Sequence, residues 1–183
     1  MPNYRRNYVP GGTYFFTLVT YRRRPFLTTP LARDCLRVAI GQEQAVRPFD
    51  LFAIVLLPDH LHAVWTLPDG DANYSTRWSR IKERFTRAYT GMDQSGATPE
   101  RRRHGRRERA VWQPRFWEHT VRGEDDLTRC LDYLHYNPVK HGLADRVADY
   151  PWSTFARFVR LGEYEPGWGA GFVCPEIDGV EWD

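Results

Sequence analysis

A chain of 183 residues and 21.6 kDa has room for one domain of ordinary size. With 42% hydrophobic and 15% aromatic residues it can bury a real core, which excludes global disorder. The net charge is only +3, but every cationic residue apart from Lys82 and Lys140 is Arg.

Residues 1–12 read as a basic arm punctuated by Gly and Pro. Thr13–Tyr21 is β-branched and aromatic, which predicts a strand. Pro30 opens a helix through about Gln44, with Leu31, Cys35, Leu36 and Val38 or Ala39 on its apolar face. Leu51–Leu57 is nearly unbroken in apolar residues, the pattern of a strand buried on both faces. Pro58-Asp59 makes a turn into a second strand, His60–Leu67, so the two form a hairpin. Tyr74–Tyr89 has helical spacing, with Trp78, Ile81, Phe85 and Ala88 aligned. Residues 91–109 have no apolar period and are expected to be a polar, partly disordered insertion. Val111–Val121 ends in a strand. A helix with Glu124, Asp125 and Asp126 in its first turn follows Gly123, and Pro138 is expected to close it. Trp152–Val159 fits a short packing helix; the tail from Leu161 to Asp183 is either disordered or anchored on the sheet by Trp168 and Phe172.

This order, β-α-β-β-α-β and a further helix, predicts an α+β, ferredoxin-like antiparallel sheet with an additional C-terminal helix. Residues 1–160 form the domain, including the insertion at about 91–109, and 161–183 form a tail. The His60–Leu67 strand would be central in such a sheet. The longest apolar run is far short of the roughly 20 residues of a membrane span, so no membrane partner is expected. Nor does an apolar run follow the N-terminal Arg residues, as a secretory signal would require. Three scattered cysteines, Cys35, Cys130 and Cys174, suit a reducing cytoplasm.

Arg forks match phosphate oxygens and stack on bases. The clusters Arg5-Arg6, Arg22-Arg23-Arg24 and Arg101, Arg102, Arg103, Arg106, Arg107 (with Arg109) are candidate DNA contacts, although a GC-rich genome also enriches Arg. Nearby Tyr4, Tyr8, Phe26, Trp112, Phe116 and Trp117 could stack on bases or pack in the core.

His60 and His62, two apart on a strand, leave the same face while Leu61 points into the core. Two adjacent imidazoles can bind one metal ion. A bare HxH more often marks two unrelated polar residues at a strand end. His119 could approach the same face; His135 and His141 lie by the last helix. On a wheel of about 100° per residue, Leu127, Cys130, Leu131 and Leu134 form the core stripe. Tyr133 lies off it, Tyr136 lies on the far side, and Asn137 stands one turn above Tyr133. Tyr133 with Asn137 reads as a presented nucleophile and a ligand, or as a surface tyrosine and a capping amide.

Leu56–His62 (LLPDHLH) followed by Tyr133–Leu143 (YLHYNPVKHGL) resembles the REP-associated tyrosine transposases, relatives of the single-strand HUH insertion-sequence transposases. Val111–His119, Tyr150–Ser153 and Arg22–Phe26 are similar to further segments of that family, so the resemblance spans about 4–158. Asp59 stands where Asn is commoner, and residues 92–109 are longer and richer in Arg than usual.

The resemblance implies a transposase, a single-strand DNA endonuclease that binds palindromic hairpin DNA. It would cleave and rejoin that DNA through a 5′-phosphotyrosine. Tyr133 would be the nucleophile, with His60, His62 and Asn137 holding Mg²⁺ or Mn²⁺. The partner would be single-stranded or hairpin DNA, the location the cytoplasm, at the nucleoid through DNA. Monomer and homodimer are both open. The rival readings are a catalytically silent nucleic-acid-binding module on this fold and a metal-dependent hydrolytic nuclease.

Overall fold

In the computed structural model, which describes residues 6–92, 100–103, 106–109 and 111–175, strand β1 (Thr13–Val19) is followed by a short 3-10 turn at Tyr21–Arg23. Helix α1 (Pro30–Val46), the hairpin β2 (Asp50–Leu56) and β3 (His60–Thr66), and helix α2 (Tyr74–Met92) come next. A two-stranded ribbon, β4 (Glu100–Arg103) and β5 (Arg106–Arg109), precedes β6 (Trp117–Thr120), α3 (Glu124–Lys140) and α4 (Phe155–Arg160). The four-stranded sheet has the order β2-β3-β1-β6, antiparallel throughout. This is the ferredoxin-like α+β arrangement, with β1 and β3 central. No helix among the described residues is long and apolar enough to cross a membrane.

Strand alternation divides the core in two. Tyr14, Phe16 and Leu18 of β1 and Leu61, Ala63 and Trp65 of β3 face α1 and α2, where Trp65 stacks on Trp78 at 4.3 Å. Phe15 of β1 and Val64 of β3 face α3, joining Cys130, Leu131, Tyr133 and Leu134. Thr29 caps α1 by accepting a hydrogen bond from the Ala32 amide, and Pro30 sits at its first position.

Four expectations are corrected. Strand β2 is an edge strand, and Leu51, Phe52, Ile54 and Leu56 are only half-buried. Its apolar run reflects cover along its outer edge, where residues 152–154 pair with it: the Leu56 amide donates to the Trp152 carbonyl and the Thr154 amide to the Ile54 carbonyl.

Pro138 does not end α3. Its fixed φ is helical, and it removes only one ladder bond near the helix end. The stop comes at Gly142, φ +65°: its amide donates to the Val139 carbonyl, and the Leu143 amide to that of Pro138.

The insertion contains an antiparallel ribbon rather than only irregular chain, with Arg101 opposite Glu108, Arg102 opposite Arg107 and Arg103 opposite Arg106. A backbone ladder needs no apolar period, so the sequence pattern was blind to it. Finally, Trp168 and Phe172 dock on Tyr136 of α3, not on the sheet.

Candidate active site

His60 and His62 open β3, opposite Val19 and Thr17 of β1. Both side chains face α3, and their ring centroids are 5.0 Å apart. Each imidazole is held at Nδ1. That of His60 donates to Asp59 Oδ1 at 2.7 Å, and that of His62 shares a 2.9 Å hydrogen bond with the Thr17 hydroxyl. Nε2 is thereby the nitrogen of each ring that can ligate.

His62 is fully buried, which pushes its pKa well below the usual imidazole value; charge on His60, His141 and Lys140 acts the same way, and a hydrogen bond donated by the ring to Asn137 opposes it. His62 is thus a neutral imidazole near pH 7, the form that binds metals. Burial alone would raise Asp59. The His60 hydrogen bond and the Arg23 guanidinium, 3.0 Å from Oδ2, outweigh it and bring Asp59 down to about 2.

Helix α3 supplies the other half. The Tyr133 ring lies 5.5 Å from His62 and 5.8 Å from Phe15. The residue is 2% exposed and Asn137 is fully buried. Tyr133 therefore faces the histidines, not solvent. The wheel took the helix's buried face to be a single apolar stripe. The sheet face beneath it is itself partly polar, so the buried arc widens to admit Tyr133, Asn137 and His135. The Lys140 ammonium donates to the Tyr133 hydroxyl at 3.2 Å and lies 4.8 Å over its ring. His141, at the C-cap of α3, comes within 5.2 Å of His60.

Sequence reasoning missed Lys140, His141 and Thr17. Lys140 was the accessible one: it lies seven residues after Tyr133, two helical turns on. The other two depend on a chain reversal and on strand register.

His119 faces α3 but stands apart from the pair. It bonds the Asp126 carboxylate at 2.8 Å, and with Asp126 and Cys130 forms a group whose ligand-type atoms lie within 4.8 Å of one another. That carboxylate already accepts from His119, the Arg122 amide and Arg129. Burial pushes the Cys130 thiol up to about 12, far from the thiolate a metal needs. The His119–Asp126 bond ties β6 to α3. His135 is buried among Phe155, Phe158 and Tyr164, away from the pair.

The arginine clusters are dispersed. Arg5 lies outside the described residues. Arg6 is engaged internally, 4.0 Å over the Phe116 ring and bonded to Ser75 and Glu118. Arg22 and Arg23 are exposed, and Arg24 lies over the Phe26 ring. Arg101, Arg102, Arg103, Arg106 and Arg107 sit in the β4–β5 ribbon. Of the aromatic side chains, Phe26 and Trp112 pack against α2, Phe26 on Tyr89 and Trp112 on Phe85. Tyr4 also falls outside the described residues.

The donor set of two anchored imidazoles and a buried amide fits a divalent cation that accepts nitrogen and oxygen. A tyrosine hydroxyl stands beside it.

No family model matches the chain. The chain is 43% identical over 169 residues to the REP-associated tyrosine transposase of Escherichia coli, covering 92% of this chain and 91% of that one. A Haemophilus influenzae relative with the same family name is 41% identical, covering 92% and 94%. Among solved structures, a REP-associated tyrosine transposase bound to a REP hairpin superposes with a TM-score of 0.81 at 41% identity, covering 97% of this chain and 96% of that one.

Proposed function

We propose, because this chain belongs to the REP-associated tyrosine transposases, that it cleaves and rejoins single-stranded DNA beside a bound hairpin, with Tyr133 as nucleophile. The observation that carries this reading is the Tyr133 hydroxyl, held by Lys140 on a ring packed against His62. His60, His62 and Asn137 are the residues that would hold Mg²⁺ or Mn²⁺. When bound there, a divalent cation draws charge from the scissile phosphate and steadies the leaving 3′ oxygen.

An unperturbed tyrosine has a pKa near 10, so its hydroxyl is a weak nucleophile at neutral pH. The Lys140 ammonium favours negative charge on that oxygen as it attacks phosphorus in line. The tyrosine O–P bond forms and the P–O3′ bond breaks. The tyrosine's proton passes in net to the leaving 3′ oxygen. The products are a 5′-phosphotyrosine and a free 3′-OH. A phosphodiester is exchanged for a phosphodiester, so rejoining needs no nucleotide fuel.

The solved relative's partner, a REP hairpin, is the substrate class we assign to this chain. Arg22, Arg24 and the β4–β5 ribbon are the proposed DNA contacts, whereas Arg6 and Arg23 are engaged within the protein. The ribbon register sets two Arg–Arg pairs opposite each other.

A labelled hairpin oligonucleotide with a single-stranded flank, incubated with protein and Mn²⁺ and run on a denaturing gel, tests the reading. A protein–DNA adduct supports it. Cleavage without attached protein points to a hydrolytic nuclease, and retention without cleavage to a silent binding module.

A further inference from the structure

We propose that Arg23 and Asp59 are positioning residues for the metal site, forming a relay, Arg23–Asp59–His60, that orients the His60 ring and strengthens its hold on a divalent cation. This rests on the reading of His60 and His62 as metal ligands.

The relay is built from a loop and a turn far apart in sequence. Asp59 presents one oxygen to each neighbour: Oδ1 accepts from His60 Nδ1 at 2.7 Å, and Oδ2 accepts from Arg23 at 3.0 Å. A carboxylate can only accept, so the His60 proton must sit on Nδ1 and the lone pair on Nε2. A charged acceptor there also makes Nε2 a stronger donor to a metal. With both carboxylate oxygens engaged, the plane of Asp59, and hence that of the imidazole, is set.

The backbone bears the mark of this arrangement. Arg22 and Arg23 have φ of +57° and +51°, a left-handed conformation side chains rarely adopt. Consecutive residues in it persist only where their surroundings compel it, and such strain gathers at functional sites. Here the turn is clamped to the backbone of Asp59 itself. The Thr20 amide and hydroxyl both donate to the Asp59 carbonyl, and the Leu27 amide donates to that of Pro58. The result delivers the Arg23 guanidinium to Asp59, where a relaxed turn at Gly would need no arginine.

The experiment measures Mn²⁺ binding to the full chain without DNA, by the EPR signal of the free ion, with a melting curve for each variant. Asp59→Ala should weaken Mn²⁺ binding about 10- to 100-fold. Asp59→Asn, which keeps an acceptor but no charge, should recover part of that loss. Arg23→Gly and Arg22→Gly both suit the left-handed backbone, so folding is retained. Arg23→Gly should weaken binding, Arg23→Lys should restore part of it, and Arg22→Gly should leave it unchanged. Wild-type affinity in both Asp59→Ala and Arg23→Gly, with binding lost in His60→Ala, would overturn the relay and leave the metal assignment standing. Wild-type affinity in His60→Ala would overturn both.

Discussion

Tyr133 and Tyr136 stand three residues apart on α3 and serve opposite surroundings: the first ring packs 5.5 Å from His62, the second 5.1 Å from Phe172 of the C-terminal segment. Tyr133→Phe removes only a hydroxyl, so it should retain the hairpin in a native gel yet form no covalent adduct. Tyr136→Phe should form the adduct at near wild-type yield. Peptide mapping of the adduct to Tyr136 would reverse the assignment.

Lys140→Met removes the cation from the Tyr133 oxygen while keeping the length of the side chain. By analogy with the loss of one charge-stabilising donor, the single-turnover cleavage rate should fall about 10²-fold or more. Melting temperature should change little, and Lys140→Arg should restore part of the rate. An unchanged rate in Lys140→Met would confine the lysine to packing over the ring.

His60→Ala and His62→Ala should each abolish adduct formation with Mg²⁺ or Mn²⁺, and excess EDTA should do the same to the wild type. Hairpin retention should survive all three. Full cleavage by either variant in Mg²⁺ would remove the metal site from these histidines.

Asp126 joins β6 to α3 through His119, the Arg122 amide and Arg129. Burial pushes its pKa up, but those donors outweigh burial and leave it below the usual carboxylate value. Because the folded pKa is depressed, the stabilisation is present above the unfolded value of about 3.9 and is lost as pH falls through the folded one. Asp126→Asn should lower stability at pH 7 by about 1–3 kcal/mol. It should also flatten the loss of stability on acidification below about pH 4, as read from urea melts across that range.

Deleting Arg101–Arg109 should weaken hairpin binding and reduce the slope of log affinity against log salt. The slope should fall by roughly 0.7 for each single-strand phosphate that the ribbon neutralises in the wild type. A slope equal to the wild type would make the ribbon a spacer.

The fold was legible because its signals are local. The β-branched and aromatic content of Thr13–Tyr21, the apolar strand residues of His60–Leu67 and the 3.6-residue period in Tyr74–Tyr89 each need only a few neighbouring side chains. The shared face of His60 and His62 follows from the alternation of side chains along a strand. What could not be read locally depends on pairings between distant segments. Thr17 meets His62 through strand register, Arg23 meets Asp59 across 36 positions, and residues 152–154 cover β2. Gly142 was visible in the sequence, yet Pro138 carried more weight as a helix breaker than one proline in a last turn deserves.

The cover along β2 bears on how copies of the chain can associate. An open edge strand is a template for another chain, and sheets shared between molecules, or grown into aggregates, begin there. On this side the template is taken: Ser153 bridges Val55, Tyr150 donates through its hydroxyl to the Leu56 carbonyl, and Arg157 reaches the Phe52 carbonyl. A second molecule would have to peel away residues 150–157 before adding a strand to β2. The segment that closes the sheet thus also guards this border against self-association.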